Sequence, residues 1–116
     1  MASRIMKIEQ PKGIKGNLRE TTIKELIEHE DYELSSVRIE DETVEFLTIE
    51  KPIFSKVVFK NVTFHQATFP AIDMTDVVFE NCNLANVKIH EGLIHRVAFK
   101  GCKCTGLDLL GAHLGM

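Results

Sequence analysis

Hydrophobic positions along this chain return every five residues. Stepping by five from Leu34 gives Leu34, Ile39, Val44, Ile49, Phe54, Phe59, Phe64, Phe69, Met74, Phe79, Leu84, Ile89, Ile94, Phe99, Cys104, Leu109 and Leu114. All seventeen are apolar, in a chain that is 44% hydrophobic. Six of the seven phenylalanines lie on this register, and only Phe46 lies off it. A second register two residues earlier runs Val57, Val62, Ala67, Ile72, Val77, Cys82, Val87, Gly92, Val97, Cys102, Leu107 and Ala112, small or apolar throughout. The residues between the two registers are mostly polar. A five-residue period fits neither the 3.6-residue helix nor the two-residue strand. It fits a chain that turns a corner every five residues and directs two side chains inward each time.

A longer interval sits on top of the first. VVFKN at 57–61, VVFEN at 77–81 and VAFKG at 97–101 each begin twenty residues after the last, with VRIED at 37–41 as a more distant copy. These repeats resemble the pentapeptide-repeat family over residues 34–114, about 70% of the chain. The resemblance implies an all-β fold, a right-handed quadrilateral parallel β-helix with four pentapeptides per coil and about four coils. That family favours Ala before an Asp or Asn, followed by Leu or Phe. Here Val often replaces Ala, and Asp73, Asn83 and Asp108 are the few matches at the acidic or amide position.

In such a coil, residues twenty apart stack about 4.8 Å apart, as adjacent strands do. The predicted inner columns are Leu34, Phe54, Met74, Ile94 and Leu114; Ile39, Phe59, Phe79 and Phe99; Val44, Phe64, Leu84 and Cys104; and Ile49, Phe69, Ile89 and Leu109. Val37, Val57, Val77 and Val97 form a small-residue column beside the second. Just outside lie Glu40, Lys60, Glu80 and Lys100, whose alternating signs predict a ladder of opposite charges, with Asn61 above Asn81 as an amide ladder. A single coil buries too little to stand alone, so stability must come from stacking, as in any solenoid.

The register divides the chain into an N-terminal extension, residues 1–33, and a repeat region, residues 34–116. Met6-Lys7-Ile8 reads as a natural start, with residues 1–5 as a leader outside the fold, and Pro11, Gly13 and Gly16 break the beginning into loop. Thr22-Ile23-Lys24-Glu25 fits a capping box. A short helix over 22–30 with Ile23, Leu26 and Ile27 on one face is expected, either as a lid over the first coil's open edge or as a partner-binding helix. The other end carries no such lid. A fragment of a longer repeat protein, an end-to-end homodimer through the C-terminal coil, and an edge made irregular by Gly111, His113 and Gly115 all fit. The family resemblance supports the second, since several members dimerise through that end.

Composition changes the picture only at the level of function. No apolar run approaches the roughly 18 residues of a membrane span, and no signal peptide is visible, so a cytoplasmic location without membrane contact is expected. The net charge of −3 argues against direct nucleic-acid binding. Cys82, Cys102 and Cys104 fall on inward registers and read as buried small hydrophobes in a reducing compartment. A zinc site needs more ligands at tetrahedral spacing. His65, His90 and His95 lie on different sides of the coil, His113 near the open end and His29 in the expected helix. No catalytic, cofactor-binding or metal-binding set assembles, so an enzyme is not expected. Charge is uneven: residues 30–50 hold eight acids (Glu30, Asp31, Glu33, Glu40, Asp41, Glu42, Glu45 and Glu50) and one base, Arg38, while residues 51–116 hold seven bases and five acids. The expected function is a non-catalytic protein–protein interaction module whose partner the sequence does not name. The alternative implied by the resemblance is a DNA-mimicking protein that binds DNA gyrase and protects it from quinolones. Lys60, Lys88, Lys100 and Lys103 on the outside depart from that pattern.

Overall fold

The computed structural model describes residues 6–7 and 18–115. The expected leader, the loop around Pro11, Gly13 and Gly16, and Met116 lie outside them. Nine strands and one short helix follow in order: β1 (Met6–Lys7), β2 (Arg19–Thr21), α1 (Ile23–Glu28), β3 (Glu33–Glu40), β4 (Thr43–Glu45), β5 (Ile53–Lys60), β6 (Thr63–His65), β7 (Asp73–Glu80), β8 (Leu93–Lys100) and β9 (His113–Gly115). The long strands pair in parallel at a constant offset of twenty: Leu34 with Phe54, Phe54 with Met74, Met74 with Ile94, and Ile94 with Leu114. The β4–β6 pair and bridges such as Thr48 to Thr68 and Lys88 to Asp108 carry the same offset around the other two sides. The chain is therefore a β-solenoid of about four turns, as the sequence period requires.

The turn between sides is a left-handed residue at every fifth position. Positive φ occurs at Ser36, Asp41, Phe46, Lys51, Lys56, Asn61, Gln66, Ala71, Asp76, Asn81, Asn86, Glu91, Arg96, Gly101, Gly106 and Gly111. This conformation costs a non-glycine residue on the order of 1–2 kcal/mol. The corners tolerate it because their amides are satisfied by the next coil. Asp41, Phe46, Lys51, Asn61, Ala71, Asn81, Asn86 and Glu91 each donate to the carbonyl nineteen positions on, at 2.8–3.0 Å. Amides just past each corner, such as Thr63, Asn83 and Lys103, donate back to the preceding coil. The backbone's obligatory hydrogen bonds thus run along the solenoid axis. Glycine takes the corners at 101, 106 and 111 without the steric penalty.

The interior follows both registers. From Leu34 to Phe99 the large inward residues are 0–6% exposed. Phe59, Phe79 and Phe99 stack with centroids 5.0 Å apart and rings 7° and 4° from parallel. Phe54, Phe64 and Phe69 meet that stack or one another edge-on or tilted. Cys102, Cys104, Leu107, Leu109 and Ala112, in the last turn, are only partly buried against this core.

Several expectations are corrected. The helix is shorter, Ile23–Glu28, and no side chain caps it at Thr22. Glu25, the expected capping-box acid, instead accepts from Arg19 and Thr21. Leu26 is fully buried, but Ile27 is 49% exposed, because a helix of barely two turns presents only one residue squarely to the coil beneath. Part of the extension joins the sheet: β2 lies parallel to β3, with Arg19 opposite Val37, and so covers its edge together with α1. The last edge is less open than expected. Beside β9, β1 pairs antiparallel with β8, Met6 opposite Phe99 and Lys7 opposite Ala98. The charge ladder is in register, yet none of its Glu–Lys pairs closes to an ion pair. Glu40 lies 3.0 Å from Arg38 Nε instead. Long side chains at the surface lose rotamer freedom on pairing and are well solvated, so register alone does not bind them. Asn61 donates to Asp41 one coil before it, at 3.0 Å, rather than joining Asn81.

Truncating the central ring of the stack, Phe79→Ala, should destabilise the fold by about 3–5 kcal/mol in urea unfolding, whereas Phe46→Ala should stay within about 0.5 kcal/mol. Gly106→Ala should also destabilise the protein, because a Cβ there would collide with Asn86 Oδ1 at a φ of +75°.

Candidate interaction surface

With the interior filled, what remains for function is the outward lattice of side chains and the two ends. At the N-terminal end, Arg19 grips Glu25 through two hydrogen bonds of 2.8 Å, and Thr21 donates to the same carboxylate at 2.7 Å. Together they hold the Glu25 carboxyl down at about 2 from its ordinary 4.5. The Glu42 carboxylate receives the amide of Ile23 at 3.2–3.3 Å, which ties α1 to the corner of the first turn. Of the eight acids between 30 and 50, three are thereby engaged: Glu40 by Arg38, Asp41 by Asn61 and Glu42 by the helix. Glu30, Asp31, Glu33, Glu45 and Glu50 form no ion pair among the described residues, and all but Glu33 are exposed.

Each turn has four sides, which in the first turn lie at residues 33–35, 37–40, 43–45 and 47–50, and they differ in what they offer. On the second side the outward residues Val78 and Ala98 are buried, while Arg38 and Val58 in the same column are half-buried. At the corner between the first and second sides, Arg96 clamps Asp76 with bonds of 2.6 and 3.1 Å, and Asp76 is 5% exposed. Arg96 Nη1 also donates to His95 Nε2 at 2.6 Å, which places the ring proton on Nδ1. Sequence reading missed this cluster. Its signal was an opposite-charge pair twenty apart at a corner position, the same logic applied to Glu40 and Lys60. It closes because the arginine fork is planar and sits against a desolvated carboxylate.

The candidate chemistry is dispersed. His90 lies 3.0 Å from Asp108 and lowers that carboxyl below its ordinary range. His65 packs edge-on against Phe46, and His95 belongs to the Arg96 cluster, so the three histidines have separate partners. All three cysteines are free thiols. Cys82 is buried as expected, while Cys102 and Cys104 are half-buried. Cys82 and Cys102 sit in successive coils in the same pose, each donating to a carbonyl 23 residues back, Phe59 and Phe79, at 3.3 and 3.2 Å. The neighbouring Cys102 thiol and burial push the Cys82 thiol up, and the presence of Cys82 beside it lowers the Cys102 thiol. At the corner between the third and fourth sides, Gln66, Thr68, Asn86 and Lys88 line an open cleft of about 320 Å³. The off-register Phe46 stands directly beyond Gln66, 69% exposed.

A family profile described as the pentapeptide repeat region matches residues 52–115, more than half of the chain. The chain belongs to the pentapeptide-repeat family. No curated protein matches it. The profile begins one turn later than the periodicity does. Among the described residues, the pentapeptide coil extends back through Leu34, Ile39, Val44 and Ile49, all buried in the same interior.

Two measurements probe the ends of this pentapeptide-repeat solenoid. Because the folded Glu25 carboxyl lies below its ordinary 4.5, its contact with Arg19 stabilises the fold above that pH and is lost as pH falls toward about 2. Arg19→Ala should return the Glu25 pKa toward 4.5 in a carboxyl NMR titration and make acid unfolding begin at higher pH. Iodoacetamide should label Cys102 and Cys104 in the folded protein and reach Cys82 only after unfolding.

Proposed function

We propose that this chain is a non-catalytic docking module that presents the acidic first turn of its solenoid to a basic surface on a partner protein. The reading rests on one observation: five carboxylates around that turn, Glu30, Asp31, Glu33, Glu45 and Glu50, form no ion pair among the described residues. They project from a backbone whose corners are hydrogen-bonded coil to coil. Carboxylates held on a rigid frame lose little conformational freedom when a partner docks. Like charges gathered at one end also steer a basic partner in an ionic-strength-dependent way. Family membership supports the module and leaves the partner open, because a fold does not fix a function.

The DNA-mimic alternative asks for acid columns along the whole rod. Beyond residue 51 the outward positions carry Lys60, Lys88, Lys100 and Lys103, so the acidic surface is confined to one end and gyrase is the weaker reading. Affinity capture from lysate at low salt, followed by the same capture with Glu30, Asp31, Glu45 and Glu50 changed to their amides, tests the proposal. A specific partner that is retained by the native chain and lost by the amide variant is the expected result. A partner held equally by both chains, or no specific partner at any salt concentration, would defeat it. Gyrase supercoiling with and without quinolone, unaffected at micromolar protein, would remove the alternative.

A further inference from the structure

The cleft between the third and fourth sides has a composition the docking proposal does not use. Gln66 and Asn86 occupy successive corners, and Thr68 and Lys88 are bridged on successive coils, so each pair repeats the other at strand spacing. None of these four side chains takes a hydrogen-bond partner within the described residues. The two primary amides and the hydroxyl supply donors and acceptors together. Lys88 is the one cation in the lining, and it stands opposite Asp108 in the next coil across a backbone bridge; that carboxyl is lowered chiefly by His90 and least by Lys88. Phe46 is not among the residues that line the cleft but occupies the same corner one coil before Gln66, since Glu45 pairs with His65. The Phe46 ring is braced edge-on by His65, centroids 5.6 Å apart at 85°, and is otherwise in solvent. A bulky aromatic at φ 53° on an open corner is an unusual place for a phenylalanine.

We propose that this corner is a binding site for a neutral saccharide. Amide and hydroxyl groups in an open, polar cleft match the hydroxyl-rich edge of a sugar ring, and an exposed aromatic matches its C–H face. The cleft's volume of about 320 Å³ suits a disaccharide-sized ligand rather than a polymer segment. The site lies apart from the acidic first-turn carboxylates and does not depend on their role.

The test is a ¹⁵N–¹H NMR titration of the full chain with cellobiose, maltose, lactose and N,N′-diacetylchitobiose, and with inorganic phosphate as the anionic probe. At least one disaccharide should shift the backbone amides of residues 66–68 and 86–88 together with the side-chain amides of Gln66 and Asn86. Phe46→Leu, which keeps an apolar side chain but removes the flat ring, should weaken that binding about tenfold. Lys88→Met should change it by no more than about twofold. The spectrum of each free variant reports whether it is folded. Absence of shifts with all four sugars, shifts elsewhere on the solenoid, full affinity in Phe46→Leu, or a response to phosphate alone would each overturn the assignment.

Discussion

The constraint on which the rest depends is the closure of one coil in twenty residues, which brings corner amides such as Asp41, Asn61 and Asn81 to a carbonyl of the next coil. That closure demands four left-handed corners per turn, and the chain supplies them with whatever residue stands there, including Phe46, Lys51, Glu91 and Arg96. Each corner would be unfavourable alone. In the stack, its strain is offset by hydrogen bonds that a wider or slipped turn would leave unmade. A single added or deleted residue would move one corner away from its carbonyl partner and turn the inward column below it toward solvent. This is the solenoid's counterpart of a strand-register slip.

Closure also explains the division of labour among side chains. Two inward positions per pentapeptide face a narrow interior, one large and one small, and the small column sets how closely the corners approach. Gly92 shows the limit: a Cβ there would lie 2.8 Å from Ile72 Cγ2 and 2.9 Å from Ile89 Cγ2. Where the column permits aromatics in series, as at Phe59, Phe79 and Phe99, the coil spacing sets the rings at 5.0 Å and nearly parallel. Here the backbone repeat dictates a side-chain geometry, rather than the side chains selecting the backbone.

That hierarchy accounts for what could be read from the letters. The interior was legible because it obeys a period, and each inward residue from Leu34 to Phe99 stands where the period puts it. The extension was legible only in outline. Leu26 reached the core as expected, but Arg19–Thr21 joined the sheet through backbone bonds that need no pattern, and Ile27 was left outside. Among outward residues, charge spacing was a poor guide: Glu40, Lys60, Glu80 and Lys100 are in register without pairing, while Asp76 and Arg96 pair tightly. The difference is desolvation, which depends on how deeply a corner is packed and is not carried by spacing. The cleft at Gln66 and Asn86 was open to detection by reading the outward columns as closely as the inward ones.

Function is hard to read here for the same reason that the fold is easy. The repeat leaves the positions facing solvent almost free of structural duty, so selection for binding can act there without disturbing closure. A functional residue in such a protein should then look like an exception to the repeat rather than an instance of it. By that criterion Phe46 stands out: it is the one phenylalanine off the register, on a corner where its conformation is strained and its ring exposed. The clustered acids of the first turn are the second exception, since later turns place lysine at several matching outward positions. Both exceptions fall on the first turn of the coil or just before it, beside the edge that β2 and α1 cover.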